Sequence, residues 1–124
     1  MLVTSRETKR WIIPKGWPIE GLKPAETAAR EAYEEAGVRG KIGKRAIGTY
    51  SYKKEIGDRG KAVACRVSVF ALLVRRQRRR WPEYHQRRAR WVTARKAQSL
   101  IAEKKLRALI SAFGRRAQSR RELA

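Results

Sequence analysis

Acidic residues are scarce in this chain. Eleven Asp and Glu stand against 32 Lys and Arg, which leaves a formal net charge of +21. A chain so basic repels itself unless it meets anions. Nucleic acids, anionic membrane surfaces and small polyphosphates all qualify, and charge alone does not choose among them. Cysteine is scarcer still. Cys65 stands alone, so no intrachain disulfide can form, and it reads as a small core residue in a strand. The single histidine, His85, lies in a basic stretch and reads as an ordinary loop residue. No apolar run reaches the roughly 18 residues that a membrane span needs. Residues 1–10 lack the apolar stretch of a signal peptide. The expectation is a cytoplasmic protein without a membrane span. The chain itself has 124 residues, 42% of them hydrophobic. That is the size of one domain with a core of its own.

Local patterns order the chain as follows. Residues 2–4 and 11–13 are short and β-prone, and Pro14 stops the second piece. Residues 15–23 hold two glycines and Pro18 and predict a loop. Pro24 suits a first helical turn. From it, Ala25, Ala28, Ala29, Ala32 and Ala36 form a narrow apolar stripe at helical spacing, and Gly37 closes the helix. Residues 38–52 read as one or two strands, and residues 53–61 (KKEIGDRGK) as a charged turn. Residues 62–74 (AVACRVSVFALLV) carry the strongest strand pattern. Their second half is apolar on both faces, which predicts a central place in a sheet. The basic run 75–80 reads as a solvated loop, and residues 90–93 as a brief β segment in which Trp91 packs. Thr93 suits the N-cap of a final helix over 94–113. Gly114 ends that helix, giving one domain over 1–114 and a basic tail over 115–124.

Three of the few carboxylates, Glu31, Glu34 and Glu35, fall within five positions of the first helix. At spacings i, i+3 and i+4 they share one face, where like charges repel by a few tenths of a kcal/mol per pair. Two readings fit this spacing. One is a solvated acidic face, with Arg30 as local relief. The other is a hard-oxygen site for Mg²⁺ or Mn²⁺.

The flanking residues weight the second reading. Gly16, followed at fixed spacing by Arg30-Glu31-Ala32-Tyr33-Glu34-Glu35-Ala36-Gly37-Val38, resembles the Nudix box, a loop-helix-turn motif. Two positions depart from it. Leu22 stands where the box has its first Glu, with Glu20 or Glu26 as stand-ins, and Ala32 stands at an aliphatic position. The resemblance implies an α+β fold, an α/β/α sandwich around a mixed sheet. Only fifteen residues precede Gly16, so one early strand is expected to be lacking. A late start, an exposed sheet edge or a covering partner would each account for that.

The same resemblance implies a hydrolase of phosphoanhydride bonds. A phosphoanhydride is rich in negative charge, and a divalent cation offsets it while lowering the pKa of bound water. By resemblance, Glu31 and Glu35 would hold Mg²⁺ or Mn²⁺, with the Lys15 carbonyl as a third ligand. Glu34 would be the general base, beside Arg30. The segments RWIIPKGWPIEG, EEAGVRGKIG and RRARWVTARKA resemble the branch of diphosphoinositol polyphosphate phosphohydrolases. Polyphosphorylated small molecules, including dinucleoside polyphosphates, are then the expected substrates. Cations near the pocket would bind them: Arg6, Arg10, Lys15, Lys53, Lys54, Arg59 and Arg88, with Gly16 in the loop. Trp17 either stacks on a ring or wedges the loop.

The charge keeps other readings open. One is an RNA- or ribosome-binding module on the same scaffold, and another is a hydrolase of RNA 5′-pyrophosphate ends. The sequence shows no interleaved aromatic platform of the kind single-strand binders use.

Overall fold

A computed structural model describes residues 1–56 and 60–123, leaving aside the side chains of residues 55, 56 and 119–123. The elements in chain order are β1 (Leu2–Thr4), β2 (Trp11–Ile12), α1 (Pro24–Ala36), β3 (Val38–Ile42), β4 (Gly48–Ile56), β5 (Lys61–Val69), β6 (Leu72–Gln77), β7 (Ala89–Arg90), α2 (Ala94–Leu100) and α3 (Lys104–Leu123). This is an α+β fold.

The first helix starts and stops where its sequence says. Pro24 opens α1, and the Glu26 carboxylate accepts the Lys23 N–H at 3.0 Å. Gly37 ends it in the left-handed region, at φ 71°, a conformation that favours glycine. Its N–H donates to the Tyr33 carbonyl at 2.9 Å. Trp81 lies flat against Gly37, where a Cβ would strike the ring. The Trp81 indole N–H also donates to the Glu35 carbonyl at 3.0 Å. One bulky residue thus locks the end of α1.

The strands form three antiparallel ladders. β1 lies between β2 and β7, β3 pairs with β6, and β4 pairs with β5. Among the described residues no ladder joins these three. An apolar cavity of about 730 Å³, lined among others by Leu2, Val38, Val69 and Ile110, borders all of them. Leu2, Tyr50, Val69, Ala97, Ile101 and Leu106 form the larger buried cluster, and Val3, Ala36 and Val38 the smaller.

Four local expectations are corrected. The stretch 62–74 is not one central strand. It breaks at Phe70 and Ala71 into β5 and β6, each with a single partner. The chain crosses there from one hairpin to the next, because the Val69 carbonyl accepts Ile47 N–H and the Ala71 carbonyl accepts Gly43 N–H. The charged turn is also shorter than expected. Lys53 and Lys54 belong to β4, opposite Ala64 and Val63, because alternation there continues the ladder. Arg59 lies outside the described residues. The basic run is not all loop, since Arg75 and Arg76 belong to β6. The final helix is two helices. Ile101 adopts an extended conformation and is buried at 2% exposure, and burying it interrupts the helix. α3 then continues through Gly114, which faces the Ala94 methyl and so marks a close approach, not an end.

Candidate functional site

The centre forms where the loop before α1 meets the second half of that helix. Glu35 is buried, at 3% exposure. Its Oε2 accepts the Lys15 backbone N–H at 3.0 Å, and its Oε1 receives the Arg87 guanidinium at 3.1 Å. Arg87 is itself buried. It also donates to the Glu83 carboxylate at 2.8 Å and to the Thr4 carbonyl at 3.1 Å. β1 fixes this arginine, because Thr4 exchanges hydrogen bonds with Arg88: its N–H donates to the Arg88 carbonyl and its hydroxyl accepts the Arg88 N–H. Glu31 packs directly against Gly16, and a Cβ on that glycine would occupy the place of its carboxylate. Only glycine in the loop leaves Glu31 this room.

The electrostatics follow from this crowding. Burial pushes the Glu35 carboxyl up to about 7, with Glu31 and Glu83 adding to the rise and Arg87 and the Lys15 N–H opposing it. Glu31 is also raised, first by burial and then by Glu34 and Glu83. Lys15 is lowered by burial, against the pull of Glu35. Its ammonium donates to the Tyr52 hydroxyl at 3.1 Å and lies 4.3 Å from that ring's centre. Glu34 stands further out, paired with Arg30 at 3.3 Å. Its backbone carbonyl accepts the Glu83 N–H at 3.0 Å.

The sequence-based site residues are therefore only partly brought together. Lys15, Gly16, Glu31 and Glu35 meet, and Arg30 with Glu34 forms the rim. The contact to Glu35 is made by the Lys15 amide, whereas the carbonyl was the group expected to act. Lys54 lies 5.4 Å over the exposed Trp17 ring, forming a second small group. Lys53 is exposed. Arg6 donates to Gln86 and Arg10 to Thr8, both on the surface. Arg88 stacks at 5.7 Å on Trp11. Leu22 faces the apolar cavity, Glu20 is exposed, and Glu26 is engaged in capping α1. Neither suggested stand-in, Glu20 or Glu26, therefore takes the place of the box's first Glu. Trp91, expected to pack, is 53% exposed and donates to Gln77 at 2.8 Å. Glu83 and Arg87 were missed by sequence reasoning, although an i, i+4 acid–base pair in so acid-poor a chain was a visible signal.

The donor chemistry fits a hard divalent cation. The carboxylates are oxygen-only ligands, their mutual repulsion would be relieved by one, and Gly16 leaves the cradle for Glu31. The groups are not gathered round one point, however. Among the described residues no three His, Cys, Asp or Glu side chains converge as a metal cluster, because Arg87 draws Glu35 and Glu83 to itself.

Fold and site together define an α+β domain whose glutamate-bearing helix and glycine loop build one acidic centre. Residues 1–113 match the NUDIX domain, and the chain belongs to the Nudix family. It is 32% identical over 113 residues to Nudix hydrolase 4 of Arabidopsis thaliana, covering 91% of this chain and 52% of that protein. It is 33% identical over 102 residues to the mitochondrial Nudix hydrolase 16 of the same plant, covering 78% and 54%. Diphosphoinositol polyphosphate phosphohydrolase 3-alpha of Homo sapiens is 40% identical over 55 residues, 44% of this chain and 33% of that protein. The chain spans about half the length of the first two. No helix among the described residues is long and apolar enough to cross a membrane.

Proposed function

We propose that the protein is a metal-dependent hydrolase of phosphoanhydride bonds in polyphosphorylated small molecules, acting in the cytoplasm. The observation that carries this reading is the packing of Glu31 against Gly16 beside the buried Glu35, on the helix that bears the family's motif. Glu31 and Glu35 would hold Mg²⁺ or Mn²⁺. When bound, the cation supplies charge neutralisation and a water of lowered pKa. Arg87 and the Lys15 N–H orient Glu35, and the Lys15 ammonium stands ready for a phosphoryl oxygen. Glu34, at the rim and partly exposed, would accept a proton from water, with Arg30 steadying it. Diphosphoinositol polyphosphates and dinucleoside polyphosphates are the substrates this reading favours, since one relative is named for the former.

The test is phosphate release with Mg²⁺ from diadenosine polyphosphates, diphosphoinositol phosphates, nucleotide sugars and 5′-triphosphate RNA. Turnover of the first two, lost with Glu35→Gln, supports the reading. Absence of turnover on the whole panel, with cation binding unaffected by Glu35→Gln, sinks it.

A further inference from the structure

Among the described residues the ion pairs use only Arg30 and Arg87 as cations. The largest set left over lies on the β3–β6 strand pair and the segment just beyond it. Arg39 and Lys41 on β3, Arg75 and Arg76 on β6, and Arg78, Arg79 and Arg80 just beyond it are all exposed. Among the described residues none of them has a carboxylate within ion-pair distance. Arg39 and Arg76 stand directly opposite each other in the ladder. Like charges in that position destabilise a strand pair, so the fold gains nothing from them. An external anion would remove the repulsion.

Two aromatic residues accompany these charges. The Arg39 guanidinium lies 3.9 Å over the Tyr33 ring, beside a cleft of about 480 Å³ walled by Tyr33, Arg39, Arg30, Glu34 and Pro82, which is within the range of small-ligand clefts. Trp91, held by Gln77 at the end of β6, exposes its indole. We propose that the β3–β6 strand pair, with Arg78, Arg79 and Arg80, is a docking surface for single-stranded nucleic acid, using the Tyr33–Arg39 stack and Trp91 as base platforms.

The shape of the patch argues for this partner. Seven exposed cations, spread over β3, β6 and the segment just beyond it, suit a row of phosphates better than one small ligand. Aromatic faces beside guanidinium groups suit unpaired bases. A bilayer surface would ask for a broad apolar wedge, and among the described residues of this surface only Leu73 and Trp91 are exposed large hydrophobics. The proposal does not rest on the hydrolase reading, because none of the β3 and β6 arginines belongs to the acidic centre, although Arg30 and Glu34 of its rim also wall the cleft.

The experiment is fluorescence anisotropy with a short labelled oligouridine, in EDTA, across a salt series. The double variant Arg39→Gln/Arg76→Gln should bind at least tenfold more weakly and flatten the slope of log K against log salt by about 1.4, or 0.7 per lost phosphate contact. Tyr33→Ala should weaken binding about tenfold with the slope unchanged. Wild-type affinity and slope in the double variant would overturn the proposal. So would binding to phosphatidylserine vesicles that is stronger than to the oligonucleotide and lost with the same substitutions. Hydrolysis of diadenosine polyphosphate with Mg²⁺ should be unchanged in the double variant. Because binding is read in EDTA, lack of hydrolysis by the wild type bears on the hydrolase reading alone.

Discussion

Two charged regions of this molecule obey opposite rules. Around Glu35, the charges of Glu35, Arg87 and Glu83 meet one another inside the protein, with the Lys15 amide beside them. On the β3–β6 strand pair, cations face each other across the ladder, with no acid among the described residues to answer them. The inner region is assembled by the fold, and its groups are dry enough to have shifted pKa values. The outer region is held apart by the strands and solvated. Removing one inner partner leaves a buried charge exposed to its full desolvation cost, whereas removing an outer charge relieves repulsion. The outer region lacks an answering anion among the described residues, and the inner one, where Glu31 crowds Glu35, would still take up the cation of the proposed function.

The comparison breaks most readily at Arg87. Arg87→Met keeps much of the stem's packing but leaves Glu35 and Glu83 without their cation. It should cost about 3–5 kcal/mol in denaturant unfolding, and Mg²⁺ should restore part of the loss. A variant as stable as the wild type would show that the inner charges do not depend on pairing. The next effect is in pH. Glu35 titrates near 7 in the fold against a reference of 4.5, so the folded state keeps a proton that the unfolded chain has released. From this group stability therefore falls as pH rises from about 4.5 to 7, by about 3 kcal/mol in all, and is flat above. Glu35→Gln, which mimics the protonated form, should lose that slope when unfolding is followed against pH.

A smaller effect is expected at the loop. Gly16→Ala forces the Glu31 carboxylate to swing aside. Calorimetric titration should show roughly tenfold weaker Mg²⁺ binding, as when a supporting group is lost, while stability changes by less than about 1 kcal/mol. The smallest effect sharpens the contrast from the other side. Arg39→Gln/Arg76→Gln should leave the melting temperature unchanged or raise stability by a few tenths of a kcal/mol. A large loss would mean the outer arginines are structural after all.

What could be read from the sequence was whatever is local. Pro24, the alanine stripe and Gly37 delimit α1, and the spacing from Gly16 to Glu35 carries the family's motif. Thr93 caps α2 as expected, accepting the Lys96 N–H at 3.0 Å. The misses share one cause. The break at Phe70 and Ala71 is set by hydrogen bonds from residues 43 and 47, and the break at Ile101 by burial in a core built from distant elements. Arg87 reaches Glu35 across 52 positions, and no periodicity in the chain announces that pair. Trp91 was read as packing because tryptophan usually is, and its exposure depends on where β6 ends.

Strand β1 is three residues long, yet the Thr4 backbone grips Arg87 and Arg88. The amino-terminal stretch therefore works as a lever on the acidic centre. A tag or label fused ahead of Leu2 would pull on the guanidinium that steadies Glu35, so its placement is itself an experimental variable.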